Sequence, residues 1–533
     1  MAIRYDAVII GGGHNGLICG AYLAKAGKKV LVLERRHLPG GACVTEEVWP
    51  GFKVSTASYV MSMMQHKVID QLELRKFGFE VLPMEALFVP FPDGRHFVFW
   101  EDPKKIKAEL AKFSKKDAER YPEFDAFLVE AAGTLREVLF ITPPTPTSRR
   151  VKDIRGLIAT GRMFNRLGDK LYRLMDLMTM SISDFLDMYF ESEEIKGILA
   201  FYAGIGTFLG PKSPGTAYVL LHHLMGDLGG AGGWGLMRGG MGAVPSSIIA
   251  SASRWGMEVR TEAEVAQIKI GNGRATGVVL ASGEEIEAGV VVSNADAGTT
   301  FLKLVGPNEL PSDFVEDIRT FRTDSSAFKI NLALDGLPQY VAFNEEVGIS
   351  YPTYVHIGPN IDYLEKAYDD AKYGRPSEKP FMTPMVPTIV DPELAPDGKH
   401  QMTIFGGHAP YNLRGTTWDE HRDVFADRVI ETLAEYIPNL PDIIIDRQVL
   451  VPPDLERIFG LPHGHIFHGE LSLDQLFFLR PAPGYADYRS PIKGLYQCGS
   501  STHPGGGVMG MGGHNAAREI LKDLGNWWTR FRR

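Results

Sequence analysis

The hydrophobic pattern changes period twice within the first 34 residues. DAVII (6–10) is an unbroken apolar run, the mark of a strand covered on both faces. GLICGAYLAKAG then carries helical spacing, predicting a helix over about 15–26, and VLVLE (30–34) returns to a buried strand. Further on, 257–295 reads as a strand, a hairpin pair turning at Gly271-Asn272-Gly273 and Ser282-Gly283, and a last buried strand, VVVSNA. GLYQCGSSTHPGGG (494–507) repeats the order strand, turn, helix. Between these lie a helix-rich stretch over 100–230, a glycine turn leading into a helix over 234–256, and a mixed segment over about 300–480. KYGRPSEKP (372–380) is polar enough only for a surface loop.

Gly11, Gly13 and Gly16 form G-x-G-x-x-G between the first strand and the helix, the context that gives this motif meaning. The chemistry behind it is a tight turn, close backbone approach to a pyrophosphate, and close helix–strand packing. The helix N-terminus then offers free N–H groups to phosphate. Glu34 ends the second strand, 18 residues after Gly16, where a carboxylate accepts hydrogen bonds from ribose hydroxyls. His14 and Asn15 fall in the turn and are expected to shape and cap it. Spacing alone leaves NAD and FAD both open. A second glycine-rich run, with six glycines among the nine residues Gly505–Gly513, precedes an alanine-rich helix expected to begin near Val508.

A chain of 533 residues predicts two or more domains. Its net charge of −9 argues against nucleic acid as a main partner. Three cysteines without any C-x-x-C spacing exclude a disulfide scaffold and dithiol chemistry, and point to a reducing, cytoplasmic setting. A strand-like run from Tyr5 leads us to expect no leader peptide, and no apolar run reaches the ~18 residues of a membrane span. Against the overall acidity, 148–173 carries eight basic residues and two acidic ones. With the tail WWTRFRR (527–533) it has two readings: an interfacial anchor on anionic membrane, or a solvated helix face and a frayed end.

GGGHNGL (11–17), ERRHLPGGA (34–42), RGGMGA (238–243), VVVSNA (290–295) and GLYQCGSSTHPGGGVMG (494–510) together resemble the phytoene desaturase group of FAD-dependent oxidoreductases, in order from end to end. TEEVWPGFK, YVLLHHLMG, PPDLERIFGLP and LSLDQL resemble its pyridine nucleotide-disulfide oxidoreductase domain-containing protein 2 branch. The resemblance implies an α/β fold: a Rossmann-like, glutathione-reductase-type FAD-binding domain assembled from 1–66, 234–300 and 485–533. A mixed α+β substrate domain, 67–233 and 301–484, is inserted into it.

FAD is the implied cofactor, without a separate NAD(P)H domain. On this resemblance the cofactor-binding residues are Gly11, Gly13, His14, Asn15, Gly16, Glu34 and Arg35, then Gly40, Gly41 and Ala42 in a second loop over the pyrophosphate. Val265 is placed against the adenine, and Gly240 and Met241 by the flavin. Asn294, Gly499, Gly506, Gly507, Val508 and Met509 complete the set. SYVMSM (58–63) departs from the carotenoid desaturases, which are richer in glycine and proline there, and puts a carotenoid substrate in doubt.

Lys329 in AFKINLALDG is either an outward-facing strand lysine, by alternation, or, by similarity to amine oxidases, a lysine holding a water near flavin N5. HGHIFH (463–468) would put His463 and His465 on one strand face; no metal is expected there, and His468 is a candidate facing the substrate. The expected activity is hydride transfer from a hydrophobic small molecule to flavin N5, with oxygen or a quinone as acceptor. Two alternatives are a reduced-FAD hydratase or isomerase, and a low-turnover flavin-bearing regulatory protein.

Overall fold

The computed structural model describes residues 4–226, 228 and 233–525. Its first sheet runs Val265–Gly271, Arg274–Leu280, Glu285–Ser293, Tyr5–Ile10, Val30–Leu33, Glu258–Arg260, with Leu495–Gln497 added beside Glu285–Ser293. Tyr5–Ile10 is parallel to both neighbours: Val8 pairs with Val291 on one side and Leu31 on the other. A central parallel strand is covered on both faces, which is why its apolar run shows no alternation. Along the edge away from Tyr5–Ile10, Glu285–Ser293 is long enough for two partners. Its first half pairs with the hairpin, Glu285 opposite Val279, and its second half with the late strand, Val291 opposite Leu495. Three remote stretches of chain therefore share one sheet.

The second sheet also has seven strands, in the order Ile444–Leu450, Phe328–Leu334, His400–Gly406, Met382–Met385, Tyr354–Val355, Leu87–Pro90, His96–Phe99. Phe328, Ile330, Leu332 and Leu334 pack with Phe425, Val429 and Leu433 of the helix Trp418–Ala434. Lys329 and Asn331 face the other way and meet the carbonyls of Ser55 and Thr56. All seven residues of Phe328–Leu334 are thus buried. The outward-facing reading of Lys329 is corrected: alternation survives in the strand, but both of its sides are covered.

Helices fill most of the chain from Pro103 to His223. The basic stretch forms Val151–Asn165 and Lys170–Thr179, interrupted near Gly168, whose φ of +55 no helix allows. Among the described residues, no helix is long and apolar enough to cross a membrane.

Candidate active site

Glu34 holds the first glycine turn. Its carboxylate accepts the Gly12 N–H at 2.8 Å and the Arg36 N–H at 2.9 Å. Gly11 has a φ of +90, and a Cβ on Gly16 would sit 2.4 Å from the Gly11 carbonyl oxygen. One glycine supplies a backbone conformation, the other room for the helix to press on the strand. No side chain caps the helix His14–Lys25, so its first-turn N–H groups and positive end are left for an anion. The second loop closes on the first: the Gly40 N–H donates to the Gly12 carbonyl at 2.8 Å, and a Cβ on Gly41 would lie 3.3 Å from Gly13 Cα.

These loops border a cavity of about 760 Å³. Gly11, Gly13, His14, Asn15, Glu34, Arg35, Gly40, Gly41, Ala42, Val265 and Asn294 line it, and so do Gly507, Val508, Lys329 and His468. Sequence positions nearly 500 residues apart thus meet at one space. Six candidates are not among the lining residues: Gly16, Gly240, Met241, Gly499, Gly506 and Met509. Gly16 presses on Gly11, and the Met241 N–H donates to Ser55 Oγ at 3.0 Å. A Cβ on Gly240 would meet Thr45 Oγ1 at 2.4 Å, and one on Gly499 the Asn294 carbonyl at 2.5 Å. A Cβ on Gly506 would strike Phe467 Cα at 2.6 Å. Met509 is buried, and its carbonyl accepts the Gln65 N–H.

Sequence reasoning missed the aromatic wall. Tyr59 and Phe405 stack at 5.7 Å, Trp234 stacks on Tyr354 at 5.8 Å and on His223 at 6.0 Å, and Phe467 stands beside His222 at 5.2 Å. Tyr59, Trp234, Phe405, His223 and Phe467 all line the cavity. They arrive from five separate segments, and no local pattern links them.

Lys329 is buried against that wall, and its chemistry is unusual. Its Nζ donates to Asn331 Oδ1 at 2.7 Å and to the Ser55 carbonyl at 3.3 Å, contacts Thr403 Oγ1, and lies 5.1 Å from the Tyr59 ring centre. None of those partners is an anion. Burial therefore pushes the amine well below its ordinary pKa. Desolvation likewise lowers His468 to about 4, with opposing influences from Asp296 and from His465 and Arg480. His14 is lowered to about 4, by burial first and by His468 second.

His468 and Val508 both adopt left-handed backbone, with φ of 56° and 58°. For a β-branched valine that is strained geometry, and it is kept at the cavity wall. It also corrects the expected helix start. The left-handed residues Gly507, Val508 and Gly510 hold the chain in a turn, and the helix begins at Met511. The Gly513 N–H is then 3.4 Å from Asn15 Oδ1, so the two glycine-rich turns touch through Asn15.

HGHIFH is not a strand. Pro462–Gly464 is a tight turn with His463 at φ 48, so His463 and His465 share no strand face. His463 pairs with Thr323 at 3.0 Å, whereas His465 is buried 4.0 Å from Glu470. Arg480, fully buried, was also missed. Its guanidinium donates to the carbonyls of Phe467, Gly469, Glu470, Gln475 and Ser500, tying the loop that carries His468 to the turn after the last strand.

The residues present fit FAD. An uncapped helix end suits the pyrophosphate, and the Glu34 carboxylate is already oriented by two N–H groups. His14 Nε2 and His468 Nδ1 are buried at the cavity without a partner among the described residues. The comparisons agree. The chain is 40% identical to rat pyridine nucleotide-disulfide oxidoreductase domain-containing protein 2, over 98% of this chain and 94% of the rat protein. It is 30% identical to one of the subunits of limonene dehydrogenase from Castellaniella defragrans (98% and 96% covered) and 27% identical to phytoene desaturase of Fusarium fujikuroi (98% and 90%). Its fold matches that of cyclohexylamine oxidase from Brevibacterium oxydans, with a TM-score of 0.59 at 17% identity over 98% and 99% of the two chains. The family model for flavin-containing amine oxidoreductases covers residues 16–521, and the chain belongs to that family as an FAD-dependent oxidoreductase.

Proposed function

We propose that the protein is a dehydrogenase or desaturase that removes a hydride from an apolar small molecule. The observation that carries this reading is the cavity itself, in which the pyrophosphate loop and an aromatic wall border one space. FAD bound there supplies a two-electron acceptor for the hydride. The chain's own residues do the rest. Tyr59, Trp234, Phe405 and Phe467 exclude water and hold a flat or branched hydrocarbon against one side. Lys329, neutral in its buried setting, is able to hold a water or take up a proton at Nζ. The substrate loses a hydride and a proton, and the electrons leave to oxygen or a quinone.

The cofactor residues that line the cavity keep the roles the family resemblance gives them, and the division into a three-part FAD domain and a two-part substrate domain is part of the same proposal. Cys19, Cys43 and Cys498 are free and buried, which supports a reducing, cytoplasmic setting. Anaerobic mixing with apolar, unsaturated or amine candidates tests the proposal. Loss of flavin absorbance within one turnover, with a product short of two hydrogens, is the expected result. A product of unchanged redox state would instead make the protein a hydratase or isomerase.

A further inference from the structure

We propose that the outer face of Val151–Asn165, continued by Lys170–Thr179, docks on an anionic lipid bilayer. Fifteen large hydrophobic side chains are exposed among the described residues, and six of them crowd into this stretch: Val151, Ile154, Leu157, Ile158, Tyr172 and Met175. Tyr172 is 75% exposed and Val151 62%. Most of the others are scattered singly, as on any soluble surface.

On a helix of ~100° per residue, Val151, Ile154, Leu157 and Ile158 occupy an arc of about 120°. Arg155, Arg162 and Arg166 fill the adjoining arc of about 40°, and the opposite side carries Asp153 and Met163, both buried. The helix is therefore packed on its inner side and apolar-with-arginine on its outer side. Asp169, between the two helices, is exposed without an ion pair among the described residues, but five other acids near the helix are already engaged. Asp153 pairs with Arg150 at 2.7 Å, Glu137 with Arg166 at 3.0 Å, Asp487 with Lys152 at 3.2 Å, Asp176 with Arg173 at 3.4 Å, and Glu130 with Lys170. The side chains of Arg149, Arg155 and Arg162 have no ion pair or hydrogen-bond partner among the described residues.

Free arginines beside an apolar stripe match the headgroup boundary of an anionic leaflet, where aliphatic side chains enter and guanidinium groups reach phosphate. The chain as a whole, with a net charge of −9, is repelled by such a surface, so this basic face fixes the orientation. A second copy of the chain fits worse. A two-fold contact through this face would set Arg155 and Arg162 against their own images. Lys170–Thr179 also packs on Ala217–His223, whose His223 lines the cavity, so docking brings lipid within one helix of that helix. That last link rests on the apolar-substrate reading; the docking does not.

Flotation of the full-length protein with phosphatidylcholine vesicles, with and without phosphatidylglycerol, tests the proposal. Binding is expected only with the anionic lipid and is released by salt. Ile154→Ser with Ile158→Ser, and Arg155→Glu with Arg162→Glu, should each reduce the bound fraction at least about tenfold. FAD content and melting temperature should stay at wild-type values in both. The tail 526–533 lies outside the described residues and is deleted separately. If that deletion abolishes flotation while both helix variants float like wild type, the face is not the docking surface. Absence of wild-type flotation, or a dimer in sedimentation that the charge-reversal pair dissolves, also overturns the proposal. Normal flotation in a protein that dehydrogenates no apolar substrate would leave docking intact and remove the proposed function instead.

Discussion

Glu34 Oε2 lies 2.8 Å from the Gly12 nitrogen, so the residue that ends the second strand also pins the turn after the first. The contact ties ribose recognition to the shape of the pyrophosphate loop. Glu34→Ala removes the acceptor of two backbone N–H groups as well as that of the ribose hydroxyls. FAD affinity should fall by about 1.5–3 kcal/mol, on the order of ten- to a hundredfold in Kd, measured by titrating apoprotein with FAD. Unchanged affinity would mean that the ribose lies elsewhere.

Lys329→Met exchanges a buried amine for an apolar chain of similar length. Flavin reoxidation by oxygen should slow while FAD content holds, a difference that stopped-flow absorbance resolves. Stability carries a second signature. The folded pKa of Lys329 is depressed, so the unfolded chain binds an extra proton and the wild type loses stability as pH falls below the unfolded lysine range near 10.4. The variant should therefore gain on wild type most at neutral pH and least as pH approaches that range.

Buried histidines make the fold acid-sensitive. His14, His223, His468 and His503 are held at about 4, and His222 at about 3, each chiefly by desolvation. Below the unfolded value near 6.5 the unfolded state takes up protons that the native state refuses, so stability should fall from about pH 6.5 towards 4. Each histidine contributes up to about 1.4 kcal/mol per pH unit in that window. Urea midpoints across pH 7 to 4 check this; a flat profile would contradict the burial of these rings.

Arg480→Met should be among the most damaging single changes away from the cavity. It removes the guanidinium donor from five buried carbonyls, of which that of Glu470 keeps Gln475 Nε2, at a cost of about 3–5 kcal/mol, and Lys in its place cannot fork to all five. Melting temperature and soluble yield report the loss.

The first glycine turn was legible because its chemistry demands fixed spacing: strand, three glycines, helix and acid must stand in one order within 30 residues. The burial of Lys329 was not, because what covers it comes from residues 55–59 and 403, far away in sequence. Trp234 and Phe405 reach the aromatic wall by the same long routes. Arg480 left no signal at all, since its partners are carbonyls that every residue has. The helix start near Val508 was misplaced for a local reason. A valine in left-handed backbone is rare enough that its side chain argued for helix, while its neighbours Gly507 and Gly510 held the turn open.

The central claim is that FAD and an apolar substrate share one space. The most direct measurement begins with the purified protein as it folds in the cell. Its cofactor is released by denaturation and identified, any co-purifying cavity ligand is identified by native mass spectrometry, and that ligand or its reduced analogue is mixed anaerobically with the holoprotein. The account predicts one FAD per chain, an apolar ligand, and flavin bleaching matched by a product lighter by two hydrogens. NAD or FMN in place of FAD, or full occupancy by an apolar ligand with no reduction of the flavin by it or its reduced analogue, would contradict it.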